Sequence, residues 1–392
     1  HPPSLVPSLP RGAPAAPRPP APACPAARSS LRGDPTVDKI LASHRHKLGD
    51  FEVVDVVDEK KIAELRAQVD VEVPLTLHWT WNYAPEMEEL RRLYEKGKAG
   101  QWNAETDVDW DARVSNVVWL INPDASALAQ FCKMMGKDEA TQKGAAFDEV
   151  GHTISQLLHG EQAALQLCGQ LTNLCEDMDQ KFYAASQVID EARHIEVFAK
   201  FLQRKMGTLY PIGATLKTLL DILLEAPGMK YKVLGMQTLF EGMAVGIMDM
   251  IRRESRCALF SDILHRVEGD ESRHAAFGVL NMRRIVRESS KRELEDMEDW
   301  AFGILETLNA NQQLDMLRHL APKYDLQPEA IVEGFTKMPE FAQINSMPYM
   351  HTVVPNLLRL GLITERTQGQ WMRLGMMTDA KGTAQTVLPL AG

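Results

Sequence analysis

The sequence predicts an all-α protein of long helices, and three observations support this. Apolar residues recur at helical spacing along most of the chain after about residue 38. Strand-like alternation is rare beyond an extended opening in the stretch that begins at Val73. Glycine and proline breakers between the helical periods are few, at Gly207, Pro211, Pro227-Gly228 and Gly269. A regular alternation of strands and helices is missing from the sequence, so one all-α domain is expected rather than an α/β fold.

The predicted helices extend over most of the chain. A short capped helix is predicted over 34–49, with Asp34 or Thr36 at its start and Gly49 at its end. After the extended opening, a second helix is predicted over about 85–97. The strongest helical periods then cover 146–175, 180–206, 213–225, 230–258 and 260–290, and further helices are expected over 293–321, 328–336 and parts of 340–378.

Composition excludes several classes of protein. The chain of 392 residues is long enough to bury a large core, and its net charge of −10 argues against nucleic-acid binding, which needs a basic surface. The five cysteines show no CxxC spacing, which favours reduced thiols and a cytoplasmic location over disulfides or a zinc site. No apolar run approaches the roughly 18–20 residues of a membrane span, so no membrane association is expected.

The first 33 residues differ from the rest of the chain. They hold ten of the 22 prolines and four arginines but no acidic residue. This composition predicts a disordered extension over 1–36, followed by a helical domain over 37–392. A transit peptide is the alternative, because such peptides are also rich in arginine and poor in acids, but the proline content disfavours a targeting helix.

A charged pentapeptide occurs twice, as DEARH at 190–194 and as DESRH at 270–274. A single glutamate lies 30 residues before the glutamate of each copy, in a segment that is otherwise apolar. Equivalent glutamates of the two halves are 80 residues apart. The pattern is a duplicated helix pair, each half providing Glu … Glu-x-x-His, and its six members are Glu161, Glu191, His194, Glu241, Glu271 and His274.

These six residue types at this spacing indicate a metal site. Positions i and i+3 share one helix face, so each Glu-x-x-His can direct two ligands to one place. Four carboxylates inside a helical bundle are too costly to bury without compensating charge, which two divalent metal ions would supply. One Glu-x-x-His alone is more often a solvated helix face. Two copies, each preceded by a glutamate in apolar sequence, are the pattern of dinuclear carboxylate bundles.

Over about 146–290 the chain resembles the ferritin-like non-haem diiron carboxylate superfamily. The branch includes the small subunit of ribonucleotide reductase, acyl-carrier-protein desaturases and diiron monooxygenases. The resemblance implies a ferritin-like four-helix bundle core with additional flanking helices and a cofactor of two iron ions, with a manganese–iron pair as the alternative. It further implies that Asp270 accepts a hydrogen bond from His194 and Asp190 one from His274. Arg193 and Arg273 would offset the charge of these two acids.

Other residues of the chain disfavour some protein classes of this superfamily. The reductase small subunit carries a radical tyrosine four residues after the first motif histidine, where this chain has Phe198. The C-terminal tail also lacks an aromatic ending, so a reductase subunit is disfavoured. Storage ferritins are short single bundles, unlike this chain. Arylamine N-oxygenases generally add a histidine on a ligand helix, and none follows Glu241 here, which lowers that alternative without removing it.

The predicted function is therefore a dioxygen-activating oxidoreductase, of oxygenase, hydroxylase or desaturase type, with dioxygen as co-substrate. Its substrate would be a small organic or carrier-bound molecule. An amine N-oxygenase and a manganese–iron ligand-binding oxidase without reductase-subunit function remain open. No flavin or iron–sulfur motif is visible, so electrons are expected from a separate reductase or ferredoxin. The resemblance also suggests a homodimer.

An apolar substrate pocket is expected one turn along the ligand helices, lined by Ala164, Leu165, Cys168, Phe198, Ala244, Val245 and Met248.

Overall fold

A computed structural model describes residues 71–73, 75–327, 331 and 347–377, with the side chains of 310–314 excepted. The extension predicted over 1–36 and the short helix predicted over 34–49 lie outside the described residues. So does most of the helix predicted over 328–336.

The described residues form an all-α structure, which confirms the predicted fold class. An isolated strand-type bridge joins Ile121 and Ser255. In chain order the α-helices are α1 Glu88–Ala99, α2 Ala127–Met134, α3 Glu139–Leu174, α4 Met178–Phe201, α5 Ala214–Glu225, α6 Gly228–Lys232, α7 Glu241–Glu254, α8 Ala258–Glu288, α9 Lys291–Leu320, α10 Val354–Leu360 and α11 Gln368–Arg373. Short 3₁₀ turns occupy Pro123–Ala125 and Ala321–Tyr324, and π-helical segments occupy Leu202–Met206, Val233–Phe240 and Tyr349–Val353.

The first half of the bundle is a hairpin of α3 and α4. Asp138 caps the start of α3 by accepting a hydrogen bond from the Thr141 backbone N–H. Asp177 caps α4 in the same way through the Gln180 backbone N–H. Only Cys175–Asp177 separates the two helices, so they must run antiparallel. Residues of α3 and α4 that are several helical turns apart along the chain therefore face each other across the hairpin.

The second half is formed by α7 and α8 and has an irregular entrance. The π-helical segment Val233–Phe240 runs directly into α7 at Glu241, the first residue of that helix. Gly278 of α8 lies against this segment, and a Cβ at that position would overlap the backbone carbonyl of Gln237. The glycine thus permits close approach of α8 to the π-helical backbone.

Flanking helices cover the bundle. α9 begins with a capping box. The Ser290 hydroxyl accepts a hydrogen bond from the Glu293 backbone N–H, and the Glu293 carboxylate accepts one from the Ser290 backbone N–H. The loop before α11 is tied to α9 by Arg366, whose guanidinium lies 2.7 Å from the buried Glu298 carboxylate. Apolar side chains of these helices and of the bundle form one large core, which includes Leu305 and Trp371.

The segment over 75–85 contains neither helix nor strand and lies across the turn of the first hairpin. The His78 backbone N–H donates to the Asn173 carbonyl, and the Thr80 hydroxyl donates to the Glu176 carbonyl. Trp79 and Trp81 of this segment point outward and are 72% and 78% exposed. These two tryptophans are therefore not part of the core of the chain. Among the described helices, none combines the length and apolarity needed to cross a bilayer.

Candidate metal centre

Four helices bring the six predicted ligands together inside the bundle. Glu161 comes from α3, Glu191 and His194 from α4, Glu241 from α7, and Glu271 and His274 from α8. All six side chains are buried, and four of them have no exposed surface. Their ligand atoms form two groups, each within 4.8 Å: the first is Glu161, Glu191, His194 and Glu271, and the second is Glu191, Glu241 and His274. Glu191 belongs to both groups.

The first group is arranged around His194. Its Nδ1 lies 2.9 Å from Glu271 Oε1, 3.2 Å from Glu161 Oε2 and 3.3 Å from Glu191 Oε2. A ring nitrogen carries at most one proton, so it can donate to only one of these three oxygens. The other two oxygens then receive no hydrogen bond from this nitrogen.

The second group is arranged around His274. Its Nδ1 lies 3.4 Å from Glu191 Oε1. Glu271, a member of the first group, is also near, with its Oε2 3.0 Å from the same nitrogen. Glu241 completes this group at the start of α7. The i, i+3 spacing of each Glu-x-x-His thus places glutamate and histidine side by side in both halves.

Burial and mutual repulsion disturb the titration of these residues. Burial, together with the charge of Glu271, raises the pKa of Glu161 and that of Glu241 well above the usual range. Burial alone would lower the pKa of His274, but the carboxylates of Glu191 and Glu271 raise it to about 10. The pKa of His194 is likewise raised against the effect of burial, chiefly by Glu161 and Asp270. Four ionised carboxylates therefore cannot be buried together here without compensation, which protons on these glutamates and histidines provide when no metal ion is bound.

The donor set fits a pair of divalent metal ions. Oε2 of Glu191 and Oε1 of Glu271 are buried acceptors that no hydrogen bond satisfies. Buried carboxylate oxygens without a partner are rare in folded proteins, because their desolvation is costly. Carboxylate and imidazole are ligands suited to iron or manganese, and a shared carboxylate such as Glu191 can bridge two ions. The two groups thus define two adjacent metal positions.

Each histidine is held from its far side by an aspartate of the opposite motif. His194 Nε2 donates to Asp270 Oδ2 over 3.1 Å, and His274 Nε2 donates to Asp190 Oδ2 over 3.3 Å. These bonds leave Nδ1 of each ring directed at the carboxylates, as a metal ligand requires. Arg193 links the two aspartates, at 2.6 Å from Asp190 Oδ1 and 2.8 Å from Asp270 Oδ2.

Charge pairing keeps both aspartates ionised. Burial would raise the pKa of Asp270, but the hydrogen bond from His194 and the contact with Arg193 hold it well below the usual range. The pKa of Asp190 is also lowered against the effect of burial, mainly by His274. Arg273 donates to Asp270 Oδ1 and to the Gly269 carbonyl. The acids and arginines of the two pentapeptides thus form one buried network behind the histidines.

Two residues of this network were not predicted. The loop after α1 places the Gln101 amide on Asp190 Oδ1 at 2.7 Å, and Arg193 donates to Gln101 Oε1 at 2.6 Å. The Trp102 indole N–H donates to Asp270 Oδ2 at 2.8 Å, and the Arg193 guanidinium lies 4.9 Å from the Trp102 ring centroid. The sequence contains no local signal for these contacts, because each spans about 90 or more residues.

The residues predicted to line a pocket occupy different surroundings. Ala164 belongs to the large core, whereas Phe198 and Met248 belong to a second apolar cluster against which Ala244 packs. Leu165 is half-buried. Cys168 is buried and accepts a hydrogen bond from the Gln237 amide at 3.3 Å, so its neighbour is polar.

Val245 lines a cavity of about 650 Å³ beside α7. The wall continues through Gly246 and reaches His351 on the C-terminal π-helical segment and Met347, two residues before that segment. Its rim is charged: Arg252 contacts Asp249 and Glu268, each at 2.8 Å. Because Val245 lies four residues after Glu241, the cavity begins one helical turn from a ligand glutamate.

No family model matches the chain, and no curated protein matches it. A solved structure of an R2-like ligand-binding oxidase, with an aerobically reconstituted metal cofactor after photoconversion, is 17% identical. The match covers 63% of this chain and 90% of that one, with a TM-score of 0.35. A mutant R2-like ligand-binding oxidase with an anaerobically reconstituted Mn/Fe cofactor is 19% identical over 60% of this chain and 90% of that one, with a TM-score of 0.33. At these TM-scores the likeness adds nothing to what the site itself indicates.

Proposed function

We propose that the protein is an oxidoreductase that activates dioxygen at a dinuclear metal centre. The observation that supports this is the buried set of six ligands in two adjacent groups that share Glu191. Two iron ions are the proposed cofactor, with a manganese–iron pair as the alternative. Bound in this site, the metal pair would supply the electrons and the Lewis acidity for the reaction with dioxygen.

The residues of the chain provide orientation and exclusion of water. Asp190 and Asp270 fix the ring orientation of the two histidines, so that each Nδ1 faces the metal positions. The complete burial of Glu191 and Glu271 keeps bulk water away from the centre. A dry site of this kind protects a reactive centre from side reactions and favours oxidation of a bound organic molecule.

The cavity beside α7 is the proposed route for the substrate. It is large enough for a small organic molecule and begins at Val245, one turn from Glu241. Its charged rim and partly apolar wall suit a molecule with both apolar and polar parts, either free or linked to a carrier. Hydroxylation, desaturation and N-oxidation are all compatible with this site, and a separate reductase or ferredoxin is the proposed electron donor.

Oxygen uptake by the iron-loaded protein tests the proposal. Protein purified without metal is loaded anaerobically with two Fe²⁺ per chain, and dioxygen consumption is followed with an oxygen electrode after mixing with aerated buffer. We expect rapid uptake that becomes sustained when a reductant and a cellular metabolite extract are both present. Oxidised products are then identified by ¹⁸O₂ labelling or by loss of two hydrogens.

The matched control is His194→Ala, which removes the central ligand of the first group while leaving the cavity intact. It should bind less iron and show no rapid uptake. Full iron loading of the native protein without any oxygen uptake would refute the proposal and leave a metal-binding protein that does not react with oxygen.

A further inference from the structure

Gln187 is a buried amide in direct contact with two of the predicted ligands. It lies on α4, one turn before Glu191, and has no exposed surface. Its Nε2 donates to Glu191 Oε1 at 2.7 Å and to Glu241 Oε1 at 2.9 Å. One neutral side chain thus joins the carboxylates of two helices, α4 and α7.

The orientation of this amide is fixed by its surroundings. Both N–H groups point at carboxylate oxygens, so Oε1 must point away from them, and it is a buried acceptor without a partner. Rotating the amide by half a turn would place its oxygen against two acceptors and lose both hydrogen bonds. The amide therefore has a single stable orientation, at the expense of one unsatisfied oxygen.

The two metal positions differ in this respect. The hydrogen bonds of Gln187 reach both carboxylates of the second group, Glu191 and Glu241. Of the three carboxylates of the first group, they reach only the shared Glu191. In the 80-residue repeat, the position equivalent to Gln187 in the second half is Val267, which is buried and has no polar side-chain atom. The duplication has thus kept the six ligands but provided an amide at only one of the two positions.

A second glutamine shows that the contact does not follow from sequence position alone. Gln237 precedes Glu241 by the same four residues, and it too is fully buried. Its amide, however, donates to Cys168 Sγ at 3.3 Å. The π-helical course of Val233–Phe240 changes the angular relation between residues four apart, because a π-turn contains more residues than an α-turn.

We infer that Gln187 is a positioning residue for the metal position formed by Glu191, Glu241 and His274. Its amide holds both carboxylates of this position in the orientation that a metal ion needs, whereas at the other position it holds only the shared Glu191. The two positions are therefore unequal in affinity, and their difference depends on Gln187. This inference rests on the proposed metal centre, although it concerns only the relative affinity of its two positions.

The test is anaerobic Fe²⁺ binding to the full chain, measured at buffered free Fe²⁺ concentrations by metal analysis. In Gln187→Met the side chain keeps its approximate length but loses both donors. We expect one of the two iron ions to bind about 10- to 100-fold more weakly, while the other is retained with nearly native affinity. The matched control is Gln237→Met, which should bind both ions as the native protein does.

A second variant identifies the position that remains. His194→Ala added to Gln187→Met should remove the remaining ion, whereas His274→Ala added to it should not. Melting of the metal-free proteins, followed by circular dichroism, checks that each variant is folded. Equal weakening of both ions in Gln187→Met, or unchanged binding of both, would overturn the inference. Failure of the native protein to bind iron would instead overturn the proposed function.

Discussion

Each ligand histidine is held between carboxylates on one side of its ring and an aspartate on the other. The six ligand positions follow from sequence, because the i, i+3 rule and the 80-residue repeat require no knowledge of tertiary structure. The contacts of Gln101 and Trp102 do not follow from it. They depend on how the loop after α1 lies on the bundle, and the sequence around them is that of an ordinary polar loop.

Trp102→Phe tests the contribution of this loop to stability. The change removes the indole hydrogen bond to Asp270 and weakens the contact with Arg193, but keeps an aromatic ring, although a smaller one, at this position. We expect a loss of about 1–2 kcal/mol in the free energy of unfolding, measured by urea denaturation, because a hydrogen bond to a buried charge is lost. Trp81→Phe is the control: at 78% exposure it should change stability by less than about 0.5 kcal/mol.

A buried lysine outside the site predicts a pH dependence of stability. Lys232 is 1% exposed, and its ammonium donates to the Leu224 carbonyl at 2.6 Å and the Leu223 carbonyl at 3.3 Å, near the end of α5. Burial lowers the pKa of Lys232 to about 8 in the folded protein, below its value in the unfolded chain. The unfolded state therefore binds more protons than the folded state between these two pKa values, so folding becomes more favourable as pH rises through about 8.

We expect this lysine to add about 1 kcal/mol to the free energy of unfolding between pH 7 and pH 9. The measurement is urea denaturation of the native protein and of Lys232→Met at both pH values, because the difference between the two proteins isolates this residue from other titrating groups. A difference that does not change with pH would show that the ammonium keeps its ordinary pKa.

Among the elements, the long helices were predictable and their ends less so. The period predicted over 146–175 begins seven residues too late, because Asp138 caps a first stretch of α3 with weak apolar periodicity. The π-helical segment before α7 was not predicted at all. Its side chains give a continuous apolar pattern, which cannot distinguish a π-turn from an α-turn, and its course depends on packing against α8.

Two glycines of α8 give a direct test of this packing. In Gly278→Ala the new methyl group would overlap the Gln237 carbonyl of the π-helical segment. We expect a loss of about 1–3 kcal/mol in the free energy of unfolding, because the neighbour is backbone and cannot easily move. Gly269 of the same helix has no heavy atom within 4 Å of such a methyl group. Gly269→Ala should therefore leave stability unchanged or raise it by up to about 1 kcal/mol, and an equal loss in both variants would contradict the proposed crowding.

At the scale of the whole molecule, the bundle joins two sequence halves around four buried carboxylates. The duplicated Glu … Glu-x-x-His predicted that four helices meet at one site. It did not predict which ligand the two metal positions share. The position of Glu191 in both groups follows from the relative placement of α4, α7 and α8, which only the folded chain determines.

Metal binding should therefore stabilise the entire domain. Without metal, the four carboxylates stay buried only because protons offset their mutual repulsion. Ions that replace these protons and bind only the folded state shift the folding equilibrium by mass action. At a free Fe²⁺ concentration of 100 times the dissociation constant, about 2.7 kcal/mol is gained per position. We expect the melting temperature of metal-free protein, measured anaerobically by calorimetry, to rise by several degrees with Fe²⁺. It should rise far less with Mg²⁺, which prefers sites built from oxygen ligands alone. The double variant His194→Ala/His274→Ala, which lacks both imidazole ligands, should show little rise with either ion. An equal rise with Fe²⁺ in this variant would mean that iron stabilises the protein at some other place.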